Sequence, residues 1–181
     1  MRIIAGTARS RTIEAPKGRD TRPTLDRVRE NVFNILQRRV PDARVLDLFA
    51  GSGALSLEAV SRGASMAVMV DHDRNAIQVE KRNAAALGFT DRVRIIQAEW
   101  RQAVQTLAAE GAAFELVFLD PPYAMRDLTE VMEALTPLLA PDALIVIEHE
   151  ARIMPVTAQG FEMTDSRRYG FVGVSFFTLA E

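Results

Sequence analysis

An α/β fold with a mostly parallel seven-stranded sheet is predicted by three observations. Five short runs rich in Val, Ile, Leu and Phe follow one another from Arg44 to Ile147, separated by stretches of helical period. Runs so short and so evenly apolar suit strands buried on both faces of a parallel sheet. Two further runs flank Gly170 near the end, which predicts a closing antiparallel pair and an antiparallel last strand.

The elements follow in order. Met1–Ala5 and Thr12–Ala15, joined by a turn near Gly6, read as a small β-hairpin, and Pro16–Pro23 reads as a loop. Leu25, Val28, Val32, Ile35 and Leu36 recur at spacings of three and four, with Thr24 as a candidate N-cap and Pro41 as the stop. The five apolar runs are Arg44–Phe49, Met66–Val70, Val93–Ala98, Phe114–Leu119 and Ala143–Ile147. Between them Ala54–Arg62, Arg74–Leu87, Arg101–Glu110 and Leu128–Leu139 read as helices, with Asp73 as a natural cap for the second of these. Such alternation implies right-handed crossovers with helices on both faces. Glu162–Tyr169 and Val172–Leu179 close the chain. The predicted division is a basic hairpin extension, residues 1–22, and one sheet domain, residues 23–181.

Composition narrows the chemistry. With 181 residues, 48% hydrophobic and 25% charged, the chain has the make-up of a globular domain. No apolar run is long enough to span a membrane, and no leader pattern opens the chain. There is no cysteine, and His72 and His149 are the only histidines, so thiolate zinc, a cysteine nucleophile and a histidine-rich metal site are disfavoured. A cytoplasmic location and no metal are expected. The net charge of −2 conceals an asymmetry: residues 1–40 carry ten basic and four acidic residues, a net +6, and the remainder is −8. An arginine-rich arm on an acidic body predicts a phosphate-bearing partner met at one end, with Arg2, Arg9, Arg11, Lys17, Arg19 and Arg22 as the contacts.

Ligands of open parallel sheets bind beyond the carboxyl ends of the strands. The first run leads into Asp47-Leu48-Phe49-Ala50-Gly51-Ser52-Gly53. Two glycines let the backbone approach a ligand, and Asp47 could hold an ammonium group. The third glycine of a strict dinucleotide pattern is absent, Ser56 standing in its place. The second run meets Asp71, twenty residues after Gly51, the spacing of an acid that accepts from ribose hydroxyls. The third ends at Glu99 and Trp100, which could accept from an exocyclic amine and cover a ring face; a core role for Trp100 has equal standing. The fourth ends in Asp120-Pro121-Pro122-Tyr123. Consecutive prolines stiffen the loop and remove donors, so Asp120 and a carbonyl can act together as acceptors while Tyr123 offers a flat ring. An amine on an aromatic base needs both, because its lone pair is delocalised and it attacks only when held and polarised.

These motifs resemble those of class I S-adenosylmethionine-dependent methyltransferases, with Asp120-Pro121-Pro122-Tyr123 similar to the (D/N)PPY loop of amino-methylating enzymes. Arg2-Ile3-Ile4-Ala5-Gly6, Thr21-Arg22-Pro23-Thr24, the run Arg27–Leu36 and Arg168-Tyr169-Gly170 resemble the bacterial RsmD family over essentially the whole chain. The resemblance implies a Rossmann-like class I methyltransferase fold. It also implies methyl transfer from S-adenosylmethionine to N2 of a guanine in 16S rRNA, in the assembled or partly assembled small ribosomal subunit. A monomer is expected, although the sequence leaves the oligomeric state open. Cofactor contacts are expected from Asp47, Phe49, Ala50, Gly51, Gly53, Asp71, Glu99, Trp100 and Asp120, and catalytic contacts from Asp120, Pro121, Pro122 and Tyr123. Asp71 stands where glutamate is common, and Glu99 where aspartate is common. The alternatives are methylation of adenine N6 or a protein amide by the same loop, or a non-catalytic RNA-binding assembly factor. The basic arm favours nucleic acid over protein, and an intact Asp120–Tyr123 pair disfavours a pure binder.

Overall fold

The computed structural model describes residues 1–16, 23–122 and 124–180. Helix α1 (Pro23–Leu36) precedes a βα alternation: β1 (Arg44–Asp47), α2 (Ala54–Ser61), β2 (Met66–Asp71), α3 (Arg74–Leu87), β3 (Val93–Gln97), α4 (Trp100–Ala109), β4 (Phe114–Leu119) and α5 (Thr129–Leu135). The chain closes with β5 (Leu139–Glu150), β6 (Phe161–Tyr169) and β7 (Val172–Leu179). The sheet order is β3-β2-β1-β4-β5-β7-β6. Strands β1 to β5 are parallel, and β7 runs against both β5 and β6. The expected mostly parallel seven-stranded sheet with an antiparallel last strand is therefore present.

Local differences from the sequence reading have simple causes. The N-terminal hairpin is present in minimal form, an antiparallel bridge of Arg2 with Thr12 flanked by Ile3 N–H to the Arg11 carbonyl at 2.9 Å and Ile13 N–H to the Met1 carbonyl at 3.0 Å. Helix α1 begins at Pro23, so Thr24 lies within it rather than capping it. Proline suits a first helical position because that N–H has no partner in any case. The helix expected over Leu128–Leu139 is shorter, since α5 gives way to a 3-10 turn at Thr136–Leu138, where Pro137 lacks a donor. Asp73 caps α3 by accepting from Asn75 N–H at 2.8 Å.

The sheet has a core on each face. Val45, Met69, Phe118 and Val146 point to one face, with Phe33, Leu57 and Ile3. Leu46, Val70, Val117 and Ile147 point to the other, with Trp100, Val104, Leu107 and Met132 from α4 and α5. This period-two alternation has a consequence for charge. Two residues beyond Val45, Met69, Phe118 and Val146 stand Asp47, Asp71, Asp120 and Glu148. The fold thus gathers four carboxyl groups at the carboxyl ends of β1, β2, β4 and β5, on the face covered by α1 and α2.

Candidate active site

The strand order reverses between β1 and β4, and two clefts open at their carboxyl ends. One, of about 760 Å³, is lined by Asp47, Phe49, Ala50, Ser52, Asp120 and Glu148, with Arg29 and Val28 of α1 as its opposite wall. The other, of about 530 Å³, is lined by Asp120, Pro121, Pro122, Arg126, Glu148 and His149, among others. Asp120 and Glu148 belong to both. The site therefore sits at the switch point that an open parallel sheet dictates.

The β1–α2 turn is built by its neighbours. Gly51 and Gly53 have φ of 59° and 76°, and a Cβ on Gly53 would stand 2.8 Å from Met69 Sδ. Only glycine takes that turn without strain. Asp71 accepts from Gly51 N–H at 3.0 Å and from Asp73 N–H at 2.9 Å. Asp71 therefore shapes the loop with both oxygens, and only its remaining lone pairs are left to a ligand. Ser56, at the position of the missing third glycine, is fully buried and donates to Asp47 Oδ2 at 3.0 Å. Asn83 of α3 donates to the Ser52 carbonyl and the Glu14 carbonyl, both at 2.9 Å, tying the loop to the N-terminal segment.

Asp47 is buried, and its Oδ1 has no hydrogen-bond partner among the described residues. Burial, with Asp120 and Asp71 nearby, pushes its carboxyl up to about 7, against the pull of Ser56. Glu148 is pushed up to about 8, first by burial and then by Asp120, with Arg29 acting in the opposite sense. Glu80 of α3 is fully buried, and neither oxygen has a partner among the described residues. Burial, then Asp47 and Asp71, push it up to about 9. Such groups hold their protons near neutral pH, which limits the repulsion at this end of the sheet.

Glu80 yields a stability prediction. An unfolded glutamate ionises near pH 4.3, so between that pH and about 9 the unfolded chain binds fewer protons at this position. Stability from this group is lost as pH rises through that window. Glu80→Met is expected to stabilise the protein by about 1–3 kcal/mol at pH 6, by removing an unsatisfied buried carboxyl. The gain should widen towards pH 9. Urea unfolding at both pH values checks this, and an equal or lower midpoint for the variant at pH 9 refutes it.

Other expected site residues fall unevenly. Phe49 and Ala50 line the cleft with Asp47. Glu99 is exposed at the start of α4, beside the β2 end, where Ala98 N–H reaches the Asp71 carbonyl at 3.1 Å. Trp100 is corrected to a core residue: it is only 5% exposed, packs with the α4–α5 core, and carries the Arg101 guanidinium 4.4 Å from its ring centre. Pro121 and Pro122 both line the second cleft, but the Pro122 carbonyl already accepts from Met125 N–H at 2.8 Å. The Pro121 carbonyl is the better placed of the two to meet a ligand. Tyr123, Lys17, Arg19 and Arg22 lie outside the described residues.

Among the arm residues, Arg2 and Arg9 are exposed and share a groove of about 820 Å³ with Arg27. Arg11 does not line that groove; its guanidinium donates to the Ala86 carbonyl near the end of α3. Arg29 is buried, donating to the Arg2 carbonyl and, at 3.0 Å, to Asp26. Sequence reasoning missed Arg29 and Glu148. Glu148 had a usable signal, because it directly follows the fifth apolar run, as Asp120 follows the fourth.

Comparison with known proteins agrees with this geometry. The family model described as Conserved hypothetical protein 95 matches residues 1–178. The Ribosomal RNA small subunit methyltransferase D of Escherichia coli (strain K12) is 41% identical over 152 residues, covering 83% of this chain and 75% of the relative. A Bacillus subtilis (strain 168) protein provisionally named an rRNA methyltransferase, YlbH, is 36% identical over 180 residues, covering 98% of each. A solved Escherichia coli structure provisionally named a methyltransferase, yhhF, superposes with a TM-score of 0.83 at 36% identity, covering 99% of this chain and 97% of the other. By this match over nearly its whole length, the chain belongs to the Conserved hypothetical protein 95 family, which is the RsmD family.

Proposed function

We propose that the protein transfers a methyl group from S-adenosylmethionine to the exocyclic N2 of a guanine in 16S rRNA of the small ribosomal subunit. The observation that carries this reading is the meeting of the glycine turn, the Oδ1 of buried Asp47, which has no partner among the described residues, and the Asp120-Pro121-Pro122 loop at one switch point. Relatives named as small-subunit rRNA methyltransferases support the substrate class.

The residues fit the cofactor. It is a cation at both its sulfonium and its ammonium, and the face it would meet carries Asp47, Asp71, Asp120 and Glu148. The ammonium suits Asp47 Oδ1, Gly51 and Gly53 let the backbone come close, and Asp71 offers its remaining lone pairs to a ribose. Glu99 at the rim is the candidate for the adenine side. When bound, the cofactor supplies an electrophilic methyl group.

The protein's part is to hold the nucleophile. A base acted on at its edge must leave its stack. Asp120 and the Pro121 carbonyl accept the two N–H bonds of the guanine amine and orient its lone pair, and Tyr123 stacks on the ring. Asp120 raises electron density at nitrogen as charge develops, and the proton leaves after the nitrogen has become cationic. Arg2 and Arg9, with Arg27 of the same groove, meet the RNA backbone, and Lys17, Arg19 and Arg22 extend that contact. No described helix is long and apolar enough to cross a membrane.

The test is a comparison of ribosomal RNA nucleosides from cells with and without the protein, by mass mapping. Loss of one N2-methylguanosine from 16S rRNA is expected. Loss of an N6-methyladenosine, or an unchanged modification map, would sink the reading.

A further inference from the structure

Glu148 is a half-buried carboxyl that the proposed chemistry leaves unused. It stands beside Asp120: parallel β4 and β5 pair Phe118 with Val146 and Leu119 with Ile147, so the next pair in register is Asp120 with Glu148. They are also the two residues shared by both clefts. Two carboxyl groups side by side form a row of acceptors, and the question is what such a row recognises.

The bases with an exocyclic amine differ at the ring nitrogen next to it. Guanine has N1–H, a donor, beside its N2 amine. Adenine and cytosine have a bare nitrogen, an acceptor, beside theirs. An ionised carboxyl pair therefore matches guanine's two adjacent donors and repels the lone pair of the other two bases.

We propose that Glu148 selects guanine, accepting from N1–H while Asp120 accepts from the N2 amine. This rests on the guanine reading above and adds to it the residue that sets base specificity. The groups around Glu148 leave it that part. His149 is fixed, its ring nitrogens each 2.9 Å from the Glu150 carbonyl and Ser175 Oγ, and a Cβ on Gly173 would stand 2.3 Å from its ring. Arg29 faces Glu148 from α1 and Asp47 from β1, Arg126 and Glu150 line the second cleft, and β7 places uncharged Val174 opposite. Arg29 and the cationic cofactor both favour the ionised form, whereas burial and Asp120 favour the protonated one. Protonation removes the charge that draws guanine's N1–H and adds an O–H that can meet the bare ring nitrogen of the other bases, so the preference for guanine is strongest when Glu148 is ionised. Activity should then rise with pH through the range in which Glu148 titrates.

The experiment is single-turnover methyl transfer to small ribosomal subunits from cells lacking the protein, between pH 6 and 9, with wild type, Glu148→Gln and Glu148→Asp. Calorimetry of cofactor binding and mass identification of the product accompany it. The wild-type rate is expected to rise several-fold with pH. Glu148→Gln should be about 10–100-fold slower at pH 8, the scale of one hydrogen bond to a charged group, with the pH rise lost. Glu148→Asp should keep the rise at a reduced rate, and in both variants cofactor affinity should fall by a much smaller factor than the methyl-transfer rate. A Glu148→Gln enzyme with wild-type rate and wild-type pH slope overturns the proposal, as does a loss explained wholly by weaker cofactor binding. A methylated product other than N2-methylguanosine instead overturns the guanine reading, so the two failures are distinct.

Discussion

Asp120→Ala is expected to slow single-turnover methyl transfer by about 10²–10³-fold, the cost of losing one preorganised polar contact to charge that develops in a transition state. Cofactor affinity should change far less. Asp120 lies one residue past β4, between the glycine turn of β1 and Glu148 of β5, and lines both clefts. Its acceptor oxygens and the neighbouring Pro121 carbonyl give the amine two fixed partners in a loop that the prolines stiffen. Removing the carboxylate takes away the group that orients the amine lone pair. Some relief is also expected: without Asp120, one of the causes that raise Glu148 is gone, so Glu148 should ionise at lower pH. The variant's residual activity should therefore depend less on pH below 8 than that of wild type. Wild-type methyl transfer by Asp120→Ala on small-subunit substrate would falsify the mechanism.

Glu58→Ala is expected to destabilise the protein strongly, by about 3–5 kcal/mol, because it removes the carboxylate from a buried charge cluster and leaves two backbone donors unpaired. Glu58 on α2 is fully buried. It accepts from Ile4 N–H at 2.8 Å and Ala5 N–H at 3.0 Å, pairs with Arg62 at 2.7 Å and lies 3.6 Å from Arg29. One carboxylate thus holds the N-terminal segment, α1 and α2 together. The segment packs so closely here that a Cβ on Gly6 would overlap the Ser61 carbonyl oxygen, at 1.8 Å. Without Glu58, two backbone donors lose their acceptor, and the Arg29 guanidinium, itself only 5% exposed, loses one of its two carboxylate neighbours while keeping Asp26 and the Arg2 carbonyl. Arg29 also forms a wall of the cleft that holds Asp47, so looser packing should weaken cofactor binding as a secondary effect. Urea unfolding and limited proteolysis of residues 1–16 measure the two consequences. A variant with wild-type midpoint and an equally protected N-terminal segment would show that Glu58 is not the clasp.

The sequence by itself determined the order and type of the elements in the sheet domain. Strands buried on both faces must be apolar throughout and helices must repeat at 3.6 residues, so the change of period between Leu36 and Arg44 and at each later boundary is visible without coordinates. It also marked Asp47, Gly51, Gly53, Asp71 and Asp120 as candidates, because strand ends in an open parallel sheet are where ligands are met and these residues follow apolar runs in the chain. Local chemistry was readable to the same degree, as Asp73 capping α3 illustrates.

Only the tertiary structure decided which strand ends are neighbours. Asp120 and Glu148 are 28 positions apart in the chain and adjacent through the β4–β5 register. The chain shows only that each follows an apolar run; that the two meet is not visible there. Tertiary packing likewise decided that Trp100 serves the core and that Arg29, counted with the basic arm, is a buried clasp. It also decided where the short N-terminal hairpin docks. Residues 1–16 pair with one another across the Arg2–Thr12 bridge and also give backbone donors and carbonyls to Glu58, Ser61 and Asn83. The physical reason is common to all of these. Periodicity and capping are set by neighbours in sequence, whereas burial, charge pairing and ionisation are set by neighbours in space, which exist only once the sheet has formed.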